Sequence, residues 1–211
     1  MLIINLYHNS LKKRLFDLFI SSALFIIFLP LLLLVALLIK LTSDGKVFFI
    51  QKRVGKNGKT FKMFKFRTMV KNADKLKKNY KKLNEADGPV FKIKDDPRFT
   101  KIGKILSRTA LDELPQVLNV IIGNMSLVGP RPLPLDEARK LNKSQVIRNR
   151  VKPGLTSSWV VNGSHRLSFK EWMNLDKSYV LEGTLKHDIL ILLSTFHLVF
   201  KYVVQIIKRQ Y

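Results

Sequence analysis

The chain has 211 residues, with 38 Lys and Arg against 15 Asp and Glu, for a formal charge of +23. That length holds one sizeable core, or one domain plus a membrane element, and excludes two large domains. The absence of Cys excludes a disulfide framework, a thiolate nucleophile and Cys-based zinc, and the four His are scattered without metal-ligand spacing. So basic a chain calls for an acidic partner, with nucleic acid, anionic lipid headgroups and nucleotide-sugar phosphates as the candidates.

Residues 1–10 are mildly apolar and precede Lys12, Lys13 and Arg14, which is not the order of a cleaved secretory signal, so the segment is expected to stay attached. Residues 18–39 carry no charge. As a helix these 22 positions reach ~33 Å, enough for a hydrocarbon core. Pro30, near the middle, removes a backbone hydrogen bond and favours a kink. Cations flank both ends, with Lys40, Lys46, Lys52 and Arg53 on the far side, and this favours both ends on the cytoplasmic face. Two topologies stay open on these grounds: one spanning helix, or a re-entrant helix broken at Pro30. Arg14 and Asp17, three apart, have the spacing of an ion pair on one helix face.

Residues 47–51 and 60–69 read as strands of a small hairpin around a loop at Gly55 and Gly58. The second strand interleaves Phe61, Phe64 and Phe66 with Lys62, Lys65 and Arg67. That pattern resembles a base-stacking surface, but a half-buried strand with a solvated basic face is the preferred reading. Residues 71–85 are Lys-dense and read as a solvated helix or loop near lipid headgroups. A strand is expected at 90–93, a turn at 95–98 and a helical pattern from Ile102.

Residues 109–132, TALDELPQVLNVIIGNMSLVGPRP, organise the rest. Asp112 and Glu113 stand at a helix start on either of two readings. In one, Thr109 and Asp112 form a Ser/Thr-x-x-acid capping box; in the other, the helix begins at Pro115. The apolar run that follows stops at Gly123-Asn124. An adjacent acid pair at a helix start is most simply a cap. What argues for more is the stiff turn Gly129-Pro130-Arg131-Pro132, which presents an Arg suited to bidentate phosphate contact, and a second such turn at Lys152-Pro153-Gly154.

Four ordered motifs carry a resemblance: KFRTM at 65–69, DPRFTKIGK at 96–104, LDELPQVLNVIIGNMSLVGPRP at 111–132 and KPGLT at 152–156. Together they closely resemble the bacterial sugar transferases, and more specifically the monotopic polyprenyl-phosphate phosphoglycosyl transferases in their minimal catalytic form. The resemblance implies transfer of a sugar 1-phosphate from a nucleoside-diphosphate sugar, a UDP-sugar first among them, to polyprenyl (undecaprenyl) phosphate. Asp112 would be the covalent nucleophile and Glu113 a ligand of Mg²⁺. Phosphate contacts would come from Arg131, Lys65, Arg67, Lys152 and Arg166. The product would enter glycoconjugate assembly at the bacterial inner membrane, with the catalytic domain on the cytoplasmic face.

The resemblance also favours the re-entrant helix, with Arg14, Asp17 and Pro30 as its topology residues. The fold expected is α+β and predominantly helical. Residues 1–41 form the tail and re-entrant membrane helix, and residues 42–211 a hairpin-bearing catalytic domain with interfacial amphipathic helices. The last helix, from Asp188, has only 12 uncharged positions before Lys201, too few to span, and its Lys208 and Arg209 would meet anionic membrane lipid. Asp176 and Tyr179 match a family spacing. Trp159 and Trp172 suit either the membrane interface or the core.

The chain departs from the family at Pro30, preceded by Leu rather than Ser, and at Lys152, Val160 and Ser164. His165 and Arg166 are placed to shift into the missing role. A membrane-tethered basic binding protein and an inactive assembly partner remain the alternatives. Nucleic acid is not expected as a partner, and a homodimer is left open.

Overall fold

The computed structural model describes residues 5–163 and 166–208. Ser164, His165 and Arg209 lie outside the described residues, as does the side chain of Lys208. The chain is predominantly helical with two small sheets. After a single 3₁₀ turn at Leu6–Asn9 comes α1, Leu11–Thr42, capped by the Ser10 hydroxyl, which accepts from the Lys13 amide. α1 is the one described helix long and apolar enough to cross a membrane. It runs without interruption through Pro30, so the expected break at that residue is not seen as an end of the helix. The expected Arg14–Asp17 pair does not form. Asp17 pairs instead with buried Lys13, one turn back, at 3.0 Å, while half-buried Arg14 donates to the Val120 and Ile121 carbonyls. The reason is that α1 is seated against other elements, and burial selects the partner that satisfies both charges.

β1 (Phe48–Val54) and β2 (Thr60–Phe66) form the antiparallel hairpin that the alternation predicts. Met63 and Phe66 of β2 are buried in separate apolar clusters and Lys62 is exposed, so the Phe/Lys pattern is that of a half-buried strand. Residues 71–85 form the short helix α2 (Ala73–Leu76) and a 3₁₀ run over Lys77–Leu83. Residues 90–93 are not a strand; the Lys92 carbonyl accepts from the Glu85 amide, and Asn84 takes up the Val90 carbonyl and the Lys92 amide. The turn expected at 95–98 forms, closed by the Phe99 amide donating to the Asp96 carbonyl, and it is also a clamp: Arg98 grips Asp96 through Nε and Nη2 and reaches the Ala73 carbonyl. α3 (Lys101–Arg108) then starts against residue 68. A Cβ on Gly103 would lie 1.9 Å from the Thr68 carbonyl oxygen, so only glycine allows this approach.

α4 (Gln116–Ile122) stops at Gly123, whose φ of +94° supplies the left-handed cap expected there. Asn119 is fully buried in α4: its side-chain oxygen accepts from the Phe64 amide and its amide group donates to the Lys62 carbonyl, which moors β2 to the helix. β3 (Ser126–Val128) pairs in parallel with β4 (Gly154–Thr156). The Gly154 amide donates to the Pro130 carbonyl, so the two stiff proline turns are stitched together.

Between them come α5 (Leu135–Ala138) and a 3₁₀ run at Gln145–Arg150. α6 (Ser158–Val161), α7 (Phe169–Glu182) and α8 (Leu185–Lys208) close the chain. Trp172 of α7 is buried and stacks on Trp159 at 4.3 Å between ring centres, which decides for core packing of the pair over the membrane interface.

Candidate active site

Asp112 and Glu113 sit in a single 3₁₀ turn, Leu111–Glu113, which leads into α4. The capping box is not formed, because the Thr109 hydroxyl donates back to the Ile105 and Leu106 carbonyls of α3. Pro115 does immediately precede the helix. The chain passes from α3 to the acids through Ala110, a non-glycine residue in the left-handed region at φ 58°.

The acids face cations from two other elements. Lys65, near the end of β2, places Nζ 2.7 Å from Glu113 Oε1 and 3.5 Å from Asp112 Oδ2. Arg131, in the turn after β3, grips Glu113 with Nη2 at 2.8 Å and Nη1 at 3.4 Å. Burial pushes the Asp112 carboxyl up from its ordinary value, with Lys65 the chief opposing influence. Burial acts the same way on Glu113, but there Arg131 and Lys65 outweigh it and hold the carboxyl well below the usual carboxylate range. Neighbouring acids thus differ in character. Glu113 is a permanent anion locked between two cations, and Asp112 is a less engaged carboxylate beside it.

The Arg131 turn is held from behind. Arg148 donates to the Arg131 carbonyl at 2.6 Å and to buried Asp176 at 2.8 Å, and burial pushes the Asp176 carboxyl up to about 6 despite Arg148. Arg53 donates to the Pro132 carbonyl. The Arg131 guanidinium stands 5.8 Å from the Trp159 ring centre, with Lys92 at 6.0 Å from the same ring. Burial, then the charge of Arg131, pushes the Lys92 ammonium down to about 8. The Arg131 side chain is still 31% exposed, so the cluster has an accessible cationic face.

A bacterial sugar transferase family model matches residues 8–202. The chain therefore belongs to the bacterial sugar transferase family. The exopolysaccharide production protein ExoY of Sinorhizobium fredii is 39% identical over 191 residues, covering 89% of this chain and 84% of that protein. The galactosyl transferase CpsE of Streptococcus agalactiae is 40% identical over 195 residues, 92% of this chain and 43% of CpsE. The UDP-glucose:undecaprenyl-phosphate glucose-1-phosphate transferase of Escherichia coli is 37% identical over 195 residues, 89% of this chain and 40% of that protein. This sugar transferase thus spans about two fifths of the length of the latter two.

Four of the sequence-identified residues of the transferase, Asp112, Glu113, Arg131 and Lys65, meet in one cluster. Three others are placed elsewhere. Arg67 donates to the carbonyl and hydroxyl of Ser43 and so fastens the exit of α1. Lys152 lies beyond the far end of α4, beside Arg14. Arg166 is exposed, and none of its described contacts reaches the acids.

Arg148, Lys92 and Asn119 were not legible as site residues. Arg148 and Asp176 stand 28 positions apart with no local signal, and a buried Asn within an apolar helix was the one visible hint of a tertiary anchor.

Proposed function

We propose that this transferase moves a sugar 1-phosphate from a nucleoside-diphosphate sugar, in the first instance a UDP-sugar, to undecaprenyl phosphate. The products are nucleoside monophosphate and a polyprenyl-diphosphate-linked sugar. The observation that carries the reading is the Asp112–Glu113 pair held between Lys65 and Arg131, and the activity for which the Escherichia coli relative is named supports the substrate classes.

The chemistry follows from the unequal carboxylates. An Asp112 oxygen attacks the sugar-linked phosphorus, a P–O bond to aspartate forms, and the bond to the second phosphorus breaks so that nucleoside monophosphate departs with the electron pair. A phosphate oxygen of the acceptor then attacks the same phosphorus and releases the Asp112 carboxylate. Dividing one displacement into two suits a nucleophile of this kind. Glu113 is too tightly held by cations to serve as the nucleophile, and its role is to keep Lys65 and Arg131 aimed at the phosphates.

The niche also fits Mg²⁺. Glu113 Oε1 is taken by both cations, whereas Oε2 meets only Arg131 Nη1 at 3.4 Å, which leaves Oε2 and Asp112 as carboxylate ligands. Mg²⁺ is commonly held by one or two carboxylates with substrate phosphates supplying the rest. When bound, it would neutralise charge on the diphosphate.

The membrane seat of the enzyme rests on α1 and α8. Buried Lys13 and Asp17, and then buried Val35 and Ile39, dock the two ends of α1 onto the same body, the former against α8 and β3 and the latter against Phe66 and Leu106. Ile189, Leu193, Phe196 and Phe200 line one exposed stripe of α8. With an interfacial α8 and a re-entrant α1 the body would sit on one face of the membrane, and the cations flanking α1 support the cytoplasmic face, where a nucleotide sugar is available.

The test is a panel of nucleoside-diphosphate sugars assayed for monophosphate release with undecaprenyl phosphate present. Asp112→Asn should lower turnover by at least about 10³-fold. Radiolabelled phosphosugar should be trapped on the wild-type chain and not on the variant. Undiminished turnover in Asp112→Asn would remove the nucleophile assignment.

A further inference from the structure

Lys92 stands at the edge of the acid cluster, in a segment without regular structure that is nonetheless fastened on both sides. The Lys92 amide donates to the Asn84 side chain at 2.7 Å, and the Lys92 carbonyl accepts from the Glu85 amide at 2.8 Å. Beside it, the Phe91 amide donates to Glu137 of α5 at 3.4 Å, and Lys77 and Arg98 stand 5.1 and 5.4 Å from the Phe91 ring centre. Backbone held in this way fixes where the Lys92 side chain begins, and its ammonium ends against Trp159.

There it meets another cation. The Lys92 ammonium and the Arg131 guanidinium stand 6.0 and 5.8 Å from the centre of the same Trp159 ring, which is backed by Trp172. Burial first and the charge of Arg131 second push the Lys92 ammonium down to about 8, against the pull of Glu113 and Glu85. Arg53, tied to the Pro132 carbonyl, responds alike: burial and then Arg131 push its guanidinium down to about 10, while Glu137, Glu113 and Asp136 act the other way. At both cations the charge of Arg131 counts for more than that of any one acid. Cations drawn together from separate parts of the chain, around a guanidinium that is still partly exposed, are stabilised by a polyanion laid among them.

The place of Lys92 in the cluster says which part of that polyanion it meets. Lys65 touches both acids, Arg131 touches Glu113, and of the two acids it is Glu113 whose charge acts on Lys92. Lys92 therefore belongs to the Arg131 side of the cluster, away from Asp112. In the proposed transfer, on which this inference rests, Asp112 attacks the sugar-linked phosphorus and the leaving oxygen departs roughly in line, on the side away from the nucleophile. The phosphate that leaves with the nucleoside then lies towards Arg131 and Lys92. We propose that Lys92 binds the nucleoside-linked phosphate of the donor and holds it, together with Arg131, as nucleoside monophosphate departs. A compact charge on a flexible stem suits a contact that must follow a departing group.

The experiment titrates UMP by calorimetry into the full chain purified in detergent. Lys92→Met keeps an apolar stem against Trp159 and removes the charge. It should weaken UMP at least about tenfold, the loss expected of a charge-assisted contact. It should also lower kcat/KM for UMP release from a UDP-sugar by about 10²-fold. Lys92→Arg should recover most of both losses. Lys94→Met removes the same charge from an exposed side chain two positions on, and should match the wild type.

UMP binding by Lys92→Met within about twofold of the wild type, or an equal loss from Lys94→Met, would overturn the contact. A loss that Lys92→Arg does not reverse would reduce Lys92 to a structural residue and overturn it too. Should Lys92→Met not fold, the same comparison is read on Lys92→Gln. A wild-type chain that binds no UMP would overturn the contact together with the uridine donor. Lys92-dependent UMP binding in a chain that transfers no phosphosugar would remove the transfer reading and leave the contact standing.

Discussion

Lys65 sets the charge state of the acid pair. It is the only cation in contact with both carboxylates among the described residues, at 3.5 Å from Asp112 and 2.7 Å from Glu113. Burial already pushes the Asp112 carboxyl up, and Lys65 is the first influence bringing it back. In the proposed mechanism the ionised form of Asp112 is the working one, so monophosphate release should fall as pH drops through its raised pKa. Lys65→Met removes the opposing charge, so that fall should begin at a higher pH than in the wild type. The variant should also lose about 10²-fold in rate on the high-pH plateau, through the missing phosphate contact. A pH–rate profile of the two proteins that coincide in shape would remove Lys65 from this role. The acids, Lys65 and Arg131 were each visible as residues in motifs. Which cation meets which acid was not, because the pairing is made by burial between elements 48 and 18 positions apart.

At the level of elements, the pairing depends on β2 and α4 keeping their mutual register, and Asn119 is the tie. Its side chain satisfies the Phe64 amide and the Lys62 carbonyl on either side of Met63, just before Lys65 in the strand. Asn119→Ala leaves both part-buried backbone groups without this partner, at roughly 1–3 kcal/mol each. Together that is about 2–6 kcal/mol, and a drop in melting temperature of roughly 4–24 °C is expected for a chain of this size. The same variant should lose transferase activity below its melting temperature, because Lys65 is no longer held opposite the acids. A melting temperature within about 2 °C of wild type would show that water satisfies the strand equally well.

The hairpin and the glycine stop of α4 were legible because alternation and left-handed caps are local properties. The strand expected at 90–93 failed because apolar residues there meet no edge to pair with. The DPRF clamp escaped notice because a side chain folding back two residues leaves no periodic mark.

Across the whole molecule, α1 is 32 residues long, yet each end is tied to the same body. Near the start, Lys13 bridges Asp17 and Asp188 while Tyr7 and Tyr179 donate to the same Asp188, locking α1 to α7 and α8. Near the end, Ile39 is fully buried with Phe66 and Leu106, and Arg67 clasps Ser43. A straight helix of this length measures about 48 Å, longer than a hydrocarbon core is thick, so a spanning α1 would carry one of these docked ends to the opposite face of the membrane. Breaking either dock would strand buried charge or bury nothing in its place, the costlier outcome being the loss of Lys13 from its two carboxylates. The apolar length was legible in sequence, but the docking was not, since Lys13 and Asp188 stand 175 positions apart.

The absence of Cys makes labelling clean. Lys12 and Asp44 are exposed at the two ends, whereas Ser10 and Ser43 are engaged in hydrogen bonds, so the former pair suits substitution. Lys12→Cys and Asp44→Cys, each alone in the full chain, should both react with an impermeant maleimide in inside-out membrane vesicles and neither in intact cells. Reaction of the two positions from opposite sides would establish a spanning helix and remove the re-entrant seat on which the membrane placement rests.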